Sequence, residues 1–270
     1  MKDKVILITG ATSGIGFALA MEFGRNGARV AFTGRVLSRI EATEAQLKSA
    51  GIECFGIMAD AASETEQRKA VAQTVNRFGT LDVLINNAGI SMRALFSKLD
   101  VLVIRKVMET NFFGTVYATH AALPYIIRSK GSIVGISSIA GYKGLPGRTG
   151  YSASKFAMSG FLEALEIELM RKDVHVLLAS PGFTASRIRE NALTHTGEVQ
   201  GESPREEGKM MSAEEVARQI YSAVVHRKRT LVMTSQGKLM LWINKFFPKM
   251  MNRLVYKDMA AEPDSGLEPL

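Results

Sequence analysis

Short apolar runs alternate along this chain with longer segments in which apolar residues recur every three or four positions. The first are the signature of buried strands and the second of amphipathic helices. Lys4-Val5-Ile6-Leu7-Ile8-Thr9 opens the series as a strand, and residues 17–26 follow with helical spacing. The same reading predicts further strands over 29–33, 52–59, 83–86, 131–137, 174–179 and 230–234. Helices are expected over 38–50, 63–79, twice within 101–128, and over 151–172. Ser38-x-x-Glu41, Ser63-x-x-Glu66 and Ser212-x-x-Glu215 each read as a capping box, which marks a helix start independently of the hydrophobic pattern. Strands that alternate with helices, and that are apolar throughout rather than at every second position, are covered on both faces. The expected architecture is therefore α/β: a doubly wound parallel sheet of Rossmann type, in three layers, as a single domain spanning 1–258.

Composition narrows the class. The chain has 270 residues, and Cys54 is its only cysteine, so no intrachain disulfide forms and a reducing compartment is expected. The N-terminus passes directly into the first strand, and no apolar run approaches the roughly 18 residues of a membrane span, so the expected location is the cytoplasm. The formal charge of +8 is uneven. Between 226 and 257 stand Arg227, Lys228, Arg229, Lys238, Lys245, Lys249, Arg253 and Lys257 with no acid. No nucleic-acid reading motif or interleaved aromatic platform accompanies this charge, so nucleic acid is not expected as a partner.

Two constellations carry chemistry. The first strand runs straight into Gly10-Ala11-Thr12-Ser13-Gly14-Ile15-Gly16 and then a helix, the context in which glycines build a dinucleotide site. Gly10 permits the tight turn, Gly14 lets backbone approach a pyrophosphate, and Gly16 packs helix against strand, with the helix N-terminus facing the anion. The second constellation is Tyr151-Ser152-Ala153-Ser154-Lys155, where four-residue spacing places a phenol and an ammonium on one helix face. A neighbouring cation stabilises phenolate and brings the tyrosine proton within catalytic reach. Ser138, at the end of an apolar strand, stands where open α/β sheets present ligand-binding groups. After the second strand the chain reads Thr33-Gly34-Arg35, with no carboxylate to hold a ribose 2′-OH. Arg35 there offers a planar fork to a 2′-phosphate, with Arg39 and Ser13 as helpers, which points to NADP(H).

The ordered set Thr9-Gly10-x-x-x-Gly14-x-Gly16, Asn86-Asn87-Ala88-Gly89, Asn111, Ser138, Tyr151-x-x-x-Lys155 and Pro181-Gly182 resembles the short-chain dehydrogenase/reductase family, over roughly residues 4 to 234. The resemblance implies that Tyr151 donates a proton to a carbonyl oxygen that Ser138 polarises. It gives Lys155 the tasks of lowering the Tyr151 pKa and binding the nicotinamide ribose, and Asn111 that of holding a water for reprotonation. It further implies cofactor contacts from Ser13, Ile15, Asp60, Ala61, Asn87, Ala88, Gly89, Pro181 and Gly182. The family's carboxamide-binding threonine is replaced by Ser186, with Thr184 two residues earlier. The activity so implied is an NADP(H)-dependent carbonyl reductase or alcohol dehydrogenase, with no metal, acting as a homodimer or homotetramer. A silent cofactor-binding regulator on the same fold is the reading from another class, and the complete Asn111, Ser138, Tyr151 and Lys155 set speaks against it.

Substrate identity is less legible. Residues 183–211 form a long polar stretch of a length usually kept for a functional lid. Tyr142, Leu145 and Phe183 are candidate pocket walls, which suggests a moderately apolar carbonyl or alcohol. In 237–257, apolar residues including Trp242, Phe246 and Phe247 recur at helical intervals, broken by Pro248. Two readings stay open: the segment packs over the pocket or a subunit interface, or it makes a peripheral contact with an anionic membrane, which would suit a keto-lipid or sterol substrate. Residues 259–270 are expected to fray as a flexible tail.

Overall fold

The computed structural model describes residues 1–204 and 210–268. Its centre is one seven-stranded sheet of β1 (Val5–Ile8), β2 (Arg29–Gly34), β3 (Cys54–Met58), β4 (Val83–Asn86), β5 (Ser132–Ile136), β6 (His175–Ser180) and β7 (Thr230–Val232). All neighbours pair in parallel, in the order β3-β2-β1-β4-β5-β6-β7. Alternate strand residues feed two separate cores, as the two-residue period of a strand requires. Ile6, Ile8, Val30, Phe32, Val134 and Leu177 face the layer of α1 (Gly14–Arg25), α2 (Leu37–Ser49) and α7 (Ala213–Val225). Val5, Leu7, Ala31, Leu84, Ile133 and Val176 face α3 (Glu64–Phe78), α5 (Gly114–Ser129) and α6 (Thr149–Glu168). This is the doubly wound, three-layer Rossmann-type arrangement.

Local chemistry sets several helix starts. The Ser63 hydroxyl accepts from the Glu66 N–H and the Ser212 hydroxyl from the Glu215 N–H, as capping residues do. Ser38 does not cap: α2 begins one residue before it, with Val36 at its N-cap. Glu66 reaches back to the Asp60 N–H instead of closing its box on Ser63. Between α4 (Val101–Met108) and α5 the helix loosens into a π turn, Glu109–Phe113, which carries Asn111. Such turns often sit at functional sites, because the extra residue redirects a side chain.

The C-terminal part forms two helices, α8 (Ser235–Phe246) and α9 (Pro248–Ala260), divided at Pro248 as the sequence predicts. Met251, Val255 and Met259 of α9 are buried, packed with Leu145, Met240, Ile243 and Leu267. Where a frayed tail is expected, the structure places a docked segment. Glu262 is buried, bonded by the Arg148 guanidinium at 2.5 Å with Arg93 3.6 Å away, and Tyr256 donates to the Glu268 carbonyl. A buried carboxylate between two arginines holds the chain end down, which polar composition alone did not reveal. Pro269 and Leu270 lie outside the described residues. Among the described residues, no helix is long and apolar enough to cross a membrane.

Candidate active site

The strand order reverses between β1 and β4, and an open α/β sheet leaves a crevice at such a point, at the carboxyl ends of its strands. A cleft of about 440 Å³ occupies that place. Every residue expected to touch cofactor lines it: Gly10, Ser13, Gly14, Ile15, Gly16, Arg35, Asp60, Ala61, Asn87, Ala88, Gly89, Tyr151, Lys155, Pro181, Gly182, Thr184 and Ser186. Ser138, Leu145 and Phe183 join them, whereas Tyr142, expected as a wall, is not among the lining residues. Its neighbour Gly141 lies against Ser137 and the Lys155 carbonyl, so the chain turns away from the cleft there.

The glycine turn is built by close approach. Gly10 has φ +66°, and a Cβ on it would lie 2.9 Å from the Ala88 Cα. On Gly16 a Cβ would meet the Asn87 amide nitrogen at 2.5 Å and the Gly10 carbonyl at 2.7 Å. Gly16 therefore serves the junction between the turn and β4 as much as helix packing on β1. Thr9 completes the brace, its hydroxyl accepting the N–H groups of Asn87 and Ala88 at 3.0 Å, while the Asn87 side chain donates to the Thr9 and Gly10 carbonyls. Gly14 also has positive φ, but only Ser186 Cβ comes near its missing side chain, at 3.6 Å. The space over this helix N-terminus is open, and its N–H groups suit an anion. The fit to a dinucleotide extends to charge. Arg35, Arg39, Lys106, Arg148, Lys155, Arg187 and Arg189 line the cleft, against Asp60 as the one acid among the described lining residues. A cleft of one sign focuses its field on a substrate of the other.

Asp60 and Asn86 also have structural work. The Asp60 carboxylate accepts the Ala62 N–H, and Asn86 donates to the Thr119 hydroxyl inside the sheet. Thr184 is buried with its hydroxyl on the Gly182 carbonyl, while Ser186 lies beside the glycine turn. Residues of the long 183–211 stretch, among them Ile188, Asn191, Leu193 and Val199, cross the cleft; its Gly208 lies outside the described residues.

At the reacting end, backbone alternation separates the two serines that follow β5. The Ser137 hydroxyl turns toward α6, to the Lys155 carbonyl and Ser159, whereas Ser138 faces the cleft and hydrogen-bonds the Tyr151 phenol. The Lys155 ammonium lies 5.7 Å from the centre of the Tyr151 ring and donates to the Ile136 carbonyl at 2.8 Å. Gly89 makes room for this packing, since a Cβ there would press on Asn111 Oδ1 at 3.3 Å and touch Lys155 Nζ at 3.6 Å. Asn111 is fully buried and held on both sides of its amide, its Oδ1 accepting the Ile90 N–H and its Nδ2 donating to the Ile90 carbonyl and the Ser154 hydroxyl.

Burial pushes the Tyr151 phenol above its ordinary range, while the Ser138 hydrogen bond and then the Arg189 and Arg148 charges pull it back. Burial also pushes Lys155 down to about 8. Arg189 and Arg148 thus favour the phenolate, while the Lys155 Nζ beside the ring donates to backbone. Arg148 was legible in the sequence, three residues before Tyr151 and so one helical turn away. Arg189 was not, because a loop residue gains its neighbours only by tertiary closure.

Comparison with known proteins agrees with the geometry. The family model described as short chain dehydrogenase matches residues 4–197. The mouse (Mus musculus) dehydrogenase/reductase SDR family member 7B is 37% identical over 239 residues, covering 87% of this chain and 74% of its own. A sesame (Sesamum indicum) 11-beta-hydroxysteroid dehydrogenase A is 33% identical over 271 residues, covering 97% and 78%. Among solved structures, levodione reductase superposes with a TM-score of 0.79 at 24% identity, covering 88% of this chain and 99% of that one. An alcohol dehydrogenase from Thermococcus sibiricus, complexed with 5-hydroxy-NADP, gives 0.75 at 23%, covering 85% and 95%. At these identities the two structures speak for the fold.

Proposed function

The chain belongs to the short-chain dehydrogenase/reductase family, and we propose that within it this protein is an NADP(H)-dependent oxidoreductase acting on the carbonyl or alcohol of a moderately apolar substrate. The observation that carries the reading is the juxtaposition of Ser138, Tyr151 and Lys155 at the inner end of a cation-lined cleft. When bound, the nicotinamide supplies or accepts the hydride. Tyr151 gives its proton to the carbonyl oxygen in reduction, and Ser138 hydrogen-bonds the same oxygen and stabilises its developing charge. Lys155 binds the ribose hydroxyls, and Asn111 anchors the π turn beside it to hold a reprotonating water. Arg35 and Arg39, beyond Gly34, take the 2′-phosphate, which favours the reductive direction in a cell. Residues 183–211 act as the lid, Leu145 and Phe183 provide apolar walls, and the protein works as a homodimer or homotetramer in the cytoplasm. A sterol-like or keto-lipid substrate is the more specific reading, supported by the hydroxysteroid dehydrogenase among the relatives.

The test is a panel of apolar ketones, steroid ketones and the matching alcohols with both nicotinamides, followed by nicotinamide absorbance. Turnover with NADPH is the expected result. Tight cofactor binding with no turnover across the panel would instead favour the silent regulator.

The pair should also leave a mark on the pH profile. Burial lowers Lys155 to about 8 and holds the Tyr151 phenol above its usual range. Alcohol oxidation needs the phenol deprotonated, so its kcat/KM should rise about tenfold for each pH unit from about pH 6 to about pH 9. Reduction, which consumes the proton, should weaken on the alkaline side. A profile for oxidation that stays flat from about pH 6 to about pH 9 would remove the pair from the proton path.

A further inference from the structure

We propose that the outward face of α8 and α9 docks on an anionic phospholipid bilayer. The inner face of these helices is occupied. Gly237 abuts Ile139, and Met251, Val255 and Met259 pack with Leu145, which also lines the cleft. The outer face is apolar and exposed. Leu239, Trp242 and Phe246 follow one another at intervals of three and four along α8, so they form one stripe, with Trp242 and Phe246 more than half exposed. Phe247, at the corner, brings its ring within 6.3 Å of Trp242, and Phe246 lies 5.4 Å from the same ring. Met250 and Leu254 continue exposed apolar surface on α9. Amphipathic helices seat an apolar face of this kind, led by Trp and Phe, at the boundary of headgroups and acyl chains.

Charge selects the occupant. Lys238 and Lys245 flank the stripe on α8, and Lys249, Arg253 and Lys257 flank it on α9; all five are exposed. No acid interrupts residues 235–257, and Asp258 follows at the far end. Lys245 Nζ sits 5.5 Å from the Phe246 ring centre, so the cations adjoin the aromatic cluster. A second copy placed on this face by a two-fold axis would set these cations against the same cations, which repel. An anionic headgroup layer meets every one of them with opposite charge while the aromatic side chains enter below it. Because the inner side of the same helices forms the wall at Leu145, a solute dissolved in the bilayer would arrive beside the reacting end of the cleft. The docking itself does not depend on which substrate the cleft takes.

The experiment is cosedimentation of the full chain with vesicles of phosphatidylcholine alone and of phosphatidylcholine with phosphatidylserine, at about 50 mM and about 500 mM salt. Binding to the anionic vesicles is expected to exceed that to neutral ones by about tenfold, and to fall by about tenfold or more at the higher salt. Trp242→Ala with Phe246→Ala should lower anionic binding at least about tenfold while the thermal midpoint and NADPH affinity stay unchanged, since both rings are exposed. Lys245→Glu with Lys249→Glu should remove the preference for anionic vesicles. No anionic binding at low salt overturns the proposal, as does binding that the aromatic double variant leaves intact. If light scattering shows that variant breaking a dimer that never binds vesicles, the face is a subunit interface and the proposal fails.

Discussion

Tyr151→Phe is expected to lower kcat by a factor of about 10² or more while the dissociation constant of NADPH stays within about twofold of the parent. The change removes one oxygen. Its ring remains, so the packing of Tyr151 beside Ile104 and Met92 in the small cluster around α4 is kept. What goes is the phenolic proton, which in the proposed mechanism passes to the substrate oxygen, and the hydrogen bond to Ser138. Ser138 retains the Ala140 N–H as a local partner, so its hydroxyl stays in place and part of the polarisation of the carbonyl survives. Glycine turn, cationic rim and Asn87 brace all lie outside the substituted atom's reach, which is why binding and turnover should separate. Single-turnover kinetics together with cofactor titration would measure both. Parental kcat in the variant would move the proton transfer to another group.

Arg35→Asp is the second substitution with a large expected effect: NADPH affinity relative to NADH should fall by about 2 kcal/mol or more, roughly thirtyfold in the ratio of dissociation constants. Arg35 follows Gly34 at the end of β2, where a Cβ at residue 34 would collide with Thr12 and Ile40. That tight packing holds the backbone against the glycine turn and presents the next side chain at the cleft edge, next to Ser13 and Arg39. Arg35 and Arg39 make no ion pair with the described residues, so their charge is available to a ligand. An aspartate in place of Arg35 would repel a 2′-phosphate and accept hydrogen bonds from a 2′-hydroxyl, reversing the preference by two effects of the same sign. Dissociation constants for both nicotinamides, measured by fluorescence quenching in parent and variant, decide it. An unmoved ratio would mean that Arg35 is solvated and that the cofactor preference is set elsewhere.

Much of this molecule was written in local pattern. The strands, the two effective serine caps at Ser63 and Ser212, the helix break at Pro248 and the glycine turn each follow from interactions within a few residues, which the order of residue types encodes directly. The ordered motifs likewise placed Ser138, Tyr151 and Lys155 in one cleft, because strand and helix periods dictate which side chains share a face. Ser38 shows the limit, since its capping box is present in the residues and absent in the fold. There α2 already starts at Leu37, so Ser38 lies inside the helix and its hydroxyl caps nothing.

What only the tertiary structure decided are the relations between residues far apart in the chain. Beside Lys155, whose ammonium donates to the Ile136 carbonyl, the charges of Arg189 and Arg148 also act on Tyr151, and Arg189 is brought there from a loop 38 residues further along the chain. The chain end, polar enough to read as frayed, is held by Glu262 between Arg148 and Arg93, residues more than a hundred positions earlier. Amphipathic spacing in α8 and α9 announced an apolar face, yet one part of it is buried over Leu145 and another stands in solvent. Sequence period determines which side chains stand together on an element. Which of those faces is covered, and by what, depends on where the folded sheet and loops bring the other elements, and that is a property of the whole chain.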